Sequence, residues 1–421
     1  MSFKDLLKRY KEGIATEEEK KNVENELEKY ESIEEYFAED LSDQFFKKDE
    51  TDEEASQING DETKKVQKVV NRRLGKVVIT SVLAVIVLYV GIFYGVSGIV
   101  DKIYYDPTAV TQSEEQQFQS PDFSYDMKAY ISLNMPGHSI YSFTSQQPKG
   151  FGDYEVSYSL WDLFTEKDDR HFIDLSRGRL THAIGGIFST ENRFRIWEGF
   201  EKIEFPFPKD ATEDAIALRD EDTERKNEET LRYLNELNPL SYISMSIVFD
   251  EDINMEEFHH MKREYPTLDF KWVGVRTTEP DTRWSETQPM HLVGFNPNFT
   301  DEASSNQRPD PEKYPLFNLA DMRGELNLSE NDFPEAYETH FRSRLSYLRN
   351  RKEFVEIFDY NSYKVDFYDD ALEYIDEHGV KTYGVLVFGT AEEFLEHMDE
   401  IPYDTLYINE VLPTRPNIYY H

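Results

Sequence analysis

From Val77 to Val100 the chain reads VVITSVLAVIVLYVGIFYGVSGIV, 24 residues without a charge, stopped by Lys76 and Asp101. A helix of that length spans roughly 36 Å, enough to cross a ~30 Å hydrocarbon core with some tilt. Its β-branched residues would favour a strand in water. In lipid only a helix satisfies every backbone N–H and C=O within the segment, so the pattern predicts one membrane span. Ahead of it the apolar positions are helical in period. Phe3, Leu6, Leu7 and Tyr10 share one face, and Gly13 suits the C-terminal cap. Thr16 and Glu19 then form a capping box, opening a second helix with Val23, Leu27 and Tyr30. Past a break near Ser32 the face continues with Ile33, Tyr36, Phe37 and Leu41. Residues 47–63 carry almost no apolar side chains and read as a solvated linker.

Beyond the span, residues 101–120 are a polar, Gln/Ser/Glu-rich tether. Alternating runs at 123–133, 154–164, 172–183 and 192–203 predict strands. Gly185-Gly186 reads as a turn or bulge, since no helix follows that could hold a phosphate. Residues 210–238 form a long acidic helix ended by Asn238-Pro239. The segments 241–277 and 381–412 each read strand–helix–strand, the first helix capped by Asn254 with Glu257. SIVFDEDINMEEFHHM and GVLVFGTAEEFLEHM align with one small gap, each joining an apolar strand to a helix that opens E-E-F. Two such units, with helices over about 332–376 between them, suggest a ferredoxin-like sandwich. The fold class is therefore α+β, in six parts. A small all-α head (1–60) and a basic juxtamembrane segment (61–76) precede the transmembrane helix (77–100). The tether (101–120), a strand-rich region (121–238) and an α+β domain (239–421) follow it.

Charge gives the span a direction. Lys64, Lys65, Lys68, Arg72, Arg73 and Lys76 precede it, whereas the twenty residues after it offer only Lys102. Lys and Arg flanking a span are retained inside, so the head is expected in the cytoplasm and the C-terminal part outside. The span lies too deep, and is too long, for a cleaved signal peptide. Tyr89, Tyr94, Tyr104 and Tyr105 suit an outer interfacial belt. The formal net charge of −38 argues against direct nucleic-acid binding, which needs a basic face. With no cysteine, disulfides and thiolate metal sites are excluded, while about 320 residues beyond the span are enough to bury a core without them.

The head helices are too few and too short to bury their apolar stripes on one another, so a partner is the natural cover. Residues 1–60 hold 19 acidic against 9 basic side chains, so that partner should be basic. Phe3, Leu6, Leu7, Tyr10, Val23, Leu27, Tyr30, Tyr36 and Phe37 are the candidate contacts. The stretch FKDLLKRYKEGIATEEEKKNVENELEKYESIEEYFAEDL resembles the cytoplasmic head of membrane-bound anti-sigma factors of Gram-positive bacteria. These pair a sigma-regulator N-terminal region with a sigma-regulator C-terminal domain. The run YISMSIVFDED, a short helix and WVGVRT within 241–277 resembles the core of that C-terminal domain. The resemblance implies a head that holds an extracytoplasmic-function sigma factor at the membrane, and an outer domain that senses envelope stress or docks a co-regulator. The zinc-containing kind of anti-sigma domain is not matched, because its His-x3-Cys-x2-Cys motif needs cysteine and the first histidine here is His138.

No catalytic or metal motif is present, and no cofactor is expected. His259-His260 read as a solvated surface pair, and Glu393 and His397 as a surface contact one turn apart. Trp197, Trp272 and Trp284 read as core or groove aromatics. Gly91 and Gly95 give the span a G-x-x-x-G spacing that lets a second helix approach, from another copy or another membrane protein. Competing readings of the whole are an anchored outer enzyme acting on the cell envelope, or a scaffold with an incidental cytoplasmic tail.

Overall fold

A computed structural model describes residues 15–16, 20–21, 23, 62–111, 120–184, 198–204, 211–280, 292–298, 309–319, 329–358 and 363–416. Met1–Val85 and Ile86–His421 form two compact units. In the first, the backbone N–H of Lys20 donates to the Thr16 carbonyl at 2.9 Å, as expected if a helix starts after Thr16. Residues 20, 21 and 23 are helical, and Val23 is buried.

Helix α1 (Glu62–Gly91) continues through a π-helical turn (Ile92–Val96) into a last short helix, α2 (Ser97–Val100). Arg73–Val100 is, among the described residues, the one helix long and apolar enough to cross a membrane, and none of its most apolar window is buried.

Helix α3 (Asp122–Asn134) corrects the strand expected at 123–133. Ser124, Lys128 and Ser132 are its half-exposed positions, and nearly everything else is buried. Polar residues every four positions satisfy an alternating pattern and a narrow helical stripe equally well, and a helix buried almost all round shows no wider polar face.

A four-stranded antiparallel meander follows in the order β1 (His138–Gly150), β2 (Asp153–Asp162), β3 (Lys167–Ser176), β4 (Arg179–Ile184). Residues 172–183 are thus a hairpin, not one strand. Arg177 (φ 51) and Gly178 (φ 70) make its two-residue turn, and Phe151 (φ 58) and Gly152 (φ 80) make that between β1 and β2. Of 192–203, the described end is helical, in α4 (Glu201–Glu204). Gly185-Gly186 and Trp197 lie outside the described residues.

The long acidic helix is α5 (Glu213–Glu236), N-capped by Thr212. Both expected strand–helix–strand units are present. The first is β5 (Tyr242–Asn254), α6 (Met255–Glu264) and β6 (Asp269–Val275). Strand β7 (Val293–Phe295) and helices α7 (Phe333–Arg349), α8 (Lys352–Phe358) and α9 (Tyr363–His378) come next. The second unit is β8 (Lys381–Thr390), α10 (Ala391–His397) and β9 (Thr405–Leu412). Their antiparallel sheet has the order β7-β6-β8-β5-β9, so each unit skips over a strand of the other. The internal repeat extends to the caps. Asn254 with Glu257, and Thr390 with Glu393, form equivalent capping boxes, and the following Phe258 and Phe394 are both fully buried.

This sheet is covered on both faces. Ile243, Met245, Ile247, Val385 and Val387 join the main core with α3, α6, α7 and α9. Tyr242, Val248, Trp272, Tyr383, Leu386 and Phe388 pack in a second cluster with Leu163, Phe164 and Phe200. Double coverage explains why SIVF and GVLVF are apolar without alternation. Trp272 is therefore core; Trp284 lies outside the described residues.

Candidate functional site

Among the described residues, the densest convergence of charge and burial lies in the segments that follow the span. Helix α3 presents Asp126, which has no exposed surface. Its carboxylate accepts from the Tyr105 hydroxyl (2.6 Å), the Tyr347 hydroxyl (2.8 Å), and Arg351 Nε and Nη2 (2.7 and 2.8 Å). Burial pushes the Asp126 carboxyl above its usual value, and the bonds from Arg351 and the two phenols oppose that rise. Burial, helped by the Asp126 carboxylate, pushes both phenols well up, so they remain donors. Burial also works against the Arg351 charge, but the Asp126 carboxylate outweighs it and the guanidinium is held more firmly protonated. One turn earlier, Asp122 accepts from the Thr111 amide and hydroxyl at 3.1 and 2.8 Å. The first half of the polar leg is thus docked: Tyr105 is buried, and its ring lies 5.9 Å from that of Phe354. A cavity of about 570 Å³ opens beside this network, lined by Asp101, Lys102, Tyr104, Asp122, Arg351 and Phe354 among others.

The last turn of the apolar helix is fastened to the same body. Ser97 is buried on an otherwise exposed helix. Its Oγ accepts from the Phe151 amide at 2.8 Å, and Asp101 Oδ1 accepts from the Gly152 amide at 2.7 Å. Ser97 Oγ also donates to Asp101 Oδ2 at 3.1 Å, and the Phe93 and Phe151 rings meet edge to face at 5.7 Å.

Of the candidate contact residues, Val23 is described, helical and buried. Phe3, Leu6, Leu7, Tyr10, Leu27, Tyr30, Tyr36 and Phe37 lie outside the described residues. Gly91 and Gly95 are exposed, and a Cβ added at either would meet nothing within 4 Å. The surface contact expected between Glu393 and His397 is replaced by other partners. Glu393 closes the cap on Thr390 at 2.6 Å, while the His397 ring lies 3.1 Å from the Thr267 hydroxyl and 4.9 Å from the Tyr265 ring. A capping carboxylate one turn from a histidine has a better donor in the backbone N–H. His259 is also not simply solvated. It stacks on Phe333 at 5.2 Å, and burial, with Arg263 and Lys262 nearby, holds its pKa below the usual value. Among the described residues no three His, Asp or Glu side chains are grouped to hold a metal ion.

The sheet just described, apart from its edge strand β9, coincides with a known family model. Residues 234–403 match the model of the sigma factor regulator C-terminal domain, called the regulator domain below. This match covers about two fifths of the 421-residue chain and includes Tyr347 and Arg351, whereas Tyr105 and Asp126 precede it. The family is regulatory rather than catalytic, and the regulator domain implies a sigma factor as partner. Neither the curated proteins nor the solved structures compared with the chain gave a match. Sequence reasoning did not find Asp126 or Arg351. Asp126 is one of several polar residues in its run, beside Ser124, Lys128 and Ser132, and its partner Arg351 lies 225 positions away.

Proposed function

We propose that this chain is a membrane-anchored anti-sigma factor. Residues 1–60 capture an extracytoplasmic-function sigma factor in the cytoplasm, and the part beyond the span lies outside and responds to envelope stress. The single observation that carries this reading is a regulator domain at 234–403 in the same chain as an exposed apolar helix at 73–100. A regulator that acts on transcription from beyond a membrane needs a second, cytoplasmic surface, and the acidic amphipathic head supplies one. The basic collar Lys64–Lys76 supports the orientation. The interleaved strand order supports a ferredoxin-like reading of the C-terminal half. Gly91 and Gly95 are where a second membrane helix would pack, from another copy or from a co-regulator.

Deleting residues 1–60 should raise transcription of one sigma regulon. Leu27→Asp or Phe37→Asp should abolish capture of the sigma factor by full-length protein without altering membrane insertion. If no sigma-dependent transcript changes on deletion, the reading is wrong.

A further inference from the structure

The junction of span and outer domain contains two irregularities that face each other. On the helix, the α-helical ladder gives way to a π-helical turn at Ile92–Val96, immediately before Ser97. Such insertions cost helix stability and recur at functional positions. On the sheet, the β1–β2 turn carries three successive positive-φ residues, Gly150 (φ 92), Phe151 (φ 58) and Gly152 (φ 80). Phe151 is strained in that region, which glycine would occupy freely. Any side chain at Gly150 would crowd Ser97 Oγ at 3.2 Å and the Phe93 ring at 3.4 Å, so the turn sits directly against the helix. The strained turn aims the Phe151 and Gly152 amides at Ser97 Oγ and Asp101 Oδ1, and the π turn lies just ahead of those two acceptors.

From these facts we infer that Ser97, Asp101 and the β1–β2 turn form a clamp through which the outer domain moves the span, so that the helix transmits and does not merely tether. Asp101 is the first charge after the apolar run, so the clamp sits at the edge of the hydrocarbon. A passive anchor would leave a free leg after the span. Here the leg is tied again at Tyr105 to Asp126, and through Asp126 to Arg351 and Tyr347 of the regulator domain. The chain leaving the helix is therefore held at two points, at Ser97 and Asp101 and again at Tyr105. That the motion ends in release of a sigma factor rests on the function proposed above; the clamp itself does not.

The test uses the full chain in lipid nanodiscs. Ser97→Ala with Asp101→Ala removes both acceptors, Asp101→Asn keeps one acceptor oxygen, and Phe151→Gly relaxes the turn while deleting the ring contact. The Phe151 and Gly152 amides should exchange with deuterium slowly in the parent and about tenfold or more faster in the double variant, since each loses a bond to a fixed acceptor. Asp101→Asn should retain most of the Gly152 protection. Because the chain has no cysteine, Leu74→Cys places a single spin label near the other end of the helix. Its mobility and lipid accessibility should change when the clamp is opened, either by the double variant or by Phe151→Gly. Equal exchange rates in parent and double variant would overturn the clamp. Faster exchange with an unchanged label at Leu74 would overturn transmission and leave a tether. If the clamp readouts behave as expected but deletion of 1–60 changes no transcript, the anti-sigma reading fails and the clamp stands.

Discussion

Asp126→Ala is the most informative single perturbation of the part beyond the apolar helix. The carboxylate receives four donors in a fully buried setting, two of them from Arg351. Removing one partner of a buried pair costs about 3–5 kcal/mol, chiefly because the other charge is left without compensation. The Arg351 side chain is 24% exposed, so water recovers part of this and the lower end, about 3 kcal/mol, is expected. At about 2–4 °C per kcal/mol for a domain of some 150–250 residues, and somewhat less for a larger one, the melting temperature should fall by roughly 5–10 °C. Thermal unfolding of the full chain in nanodiscs, followed by near-ultraviolet circular dichroism, measures this. Arg351→Met alone should also be costly. Combined with Asp126→Ala it should cost clearly less than the two singles together, because neither partner is then stranded. A loss under about 1 kcal/mol in Asp126→Ala, or strict additivity in the double variant, would refute the claim that this pair organises the junction.

Three further outcomes are expected. Burial of His171 lowers its pKa from 6.5; Asp169 at 3.4 Å opposes this but is largely exposed and screened, and His138 reinforces the lowering. A depressed histidine contributes stability that is present above the unfolded value and lost as pH falls through the folded one. The melting temperature should therefore drop from pH 7 towards pH 5, less steeply in His171→Gln, and an unchanged slope would count against the assignment. Gly274→Ala would set a Cβ 2.4 Å from the Tyr383 ring, which is buried against Phe200 at 5.8 Å and has little room to retreat. Overpacking of this kind costs about 1–3 kcal/mol, read as a lower denaturant midpoint, whereas Gly75→Ala, with nothing within 4 Å, should be neutral or slightly stabilising. Under the proposed packing at these glycines, Gly91→Ile with Gly95→Ile should weaken cross-linking of the apolar helix to a second membrane helix; an unchanged yield would remove that face from consideration.

What was legible in the sequence was whatever a short window decides. Asn254 with Glu257, and Thr390 with Glu393, fix helix starts through contacts three residues apart, and both boxes are formed. The span needed only its own composition. Strand β1 was not read, because Ser, Gln, Pro148 and Gly150 blunt its alternation; among the described residues it pairs only with β2, an edge position where proline is tolerated. Helix α3 was misread because its polar stripe of Ser124, Lys128 and Ser132 fits two periods at once. The contacts of the β1–β2 turn with Ser97 and Asp101, and of Asp126 with Tyr347 and Arg351, join residues 51 to 225 positions apart, and no local pattern encodes such pairings.

The border of the regulator domain gives these long-range contacts their meaning. The core does not break at residue 234: Phe123 and Tyr130 of α3 lie 6.2 and 5.9 Å from Phe354 of α8, and all three belong to one buried cluster. The hydrogen bonds described to Ser97 and Asp101 from beyond the helix, by contrast, come from the β1–β2 turn, which precedes the regulator domain. A change arising in the regulator domain thus has two physical routes to the end of the apolar helix. One passes through Arg351 and Asp126 to Tyr105, four residues beyond Asp101. The other passes through the α3 packing into the first sheet and its β1–β2 turn. Both routes end within a few residues at the end of the apolar helix and just beyond it, Ser97 to Tyr105, and that convergence is the geometry a rigid lever needs and a flexible leash lacks.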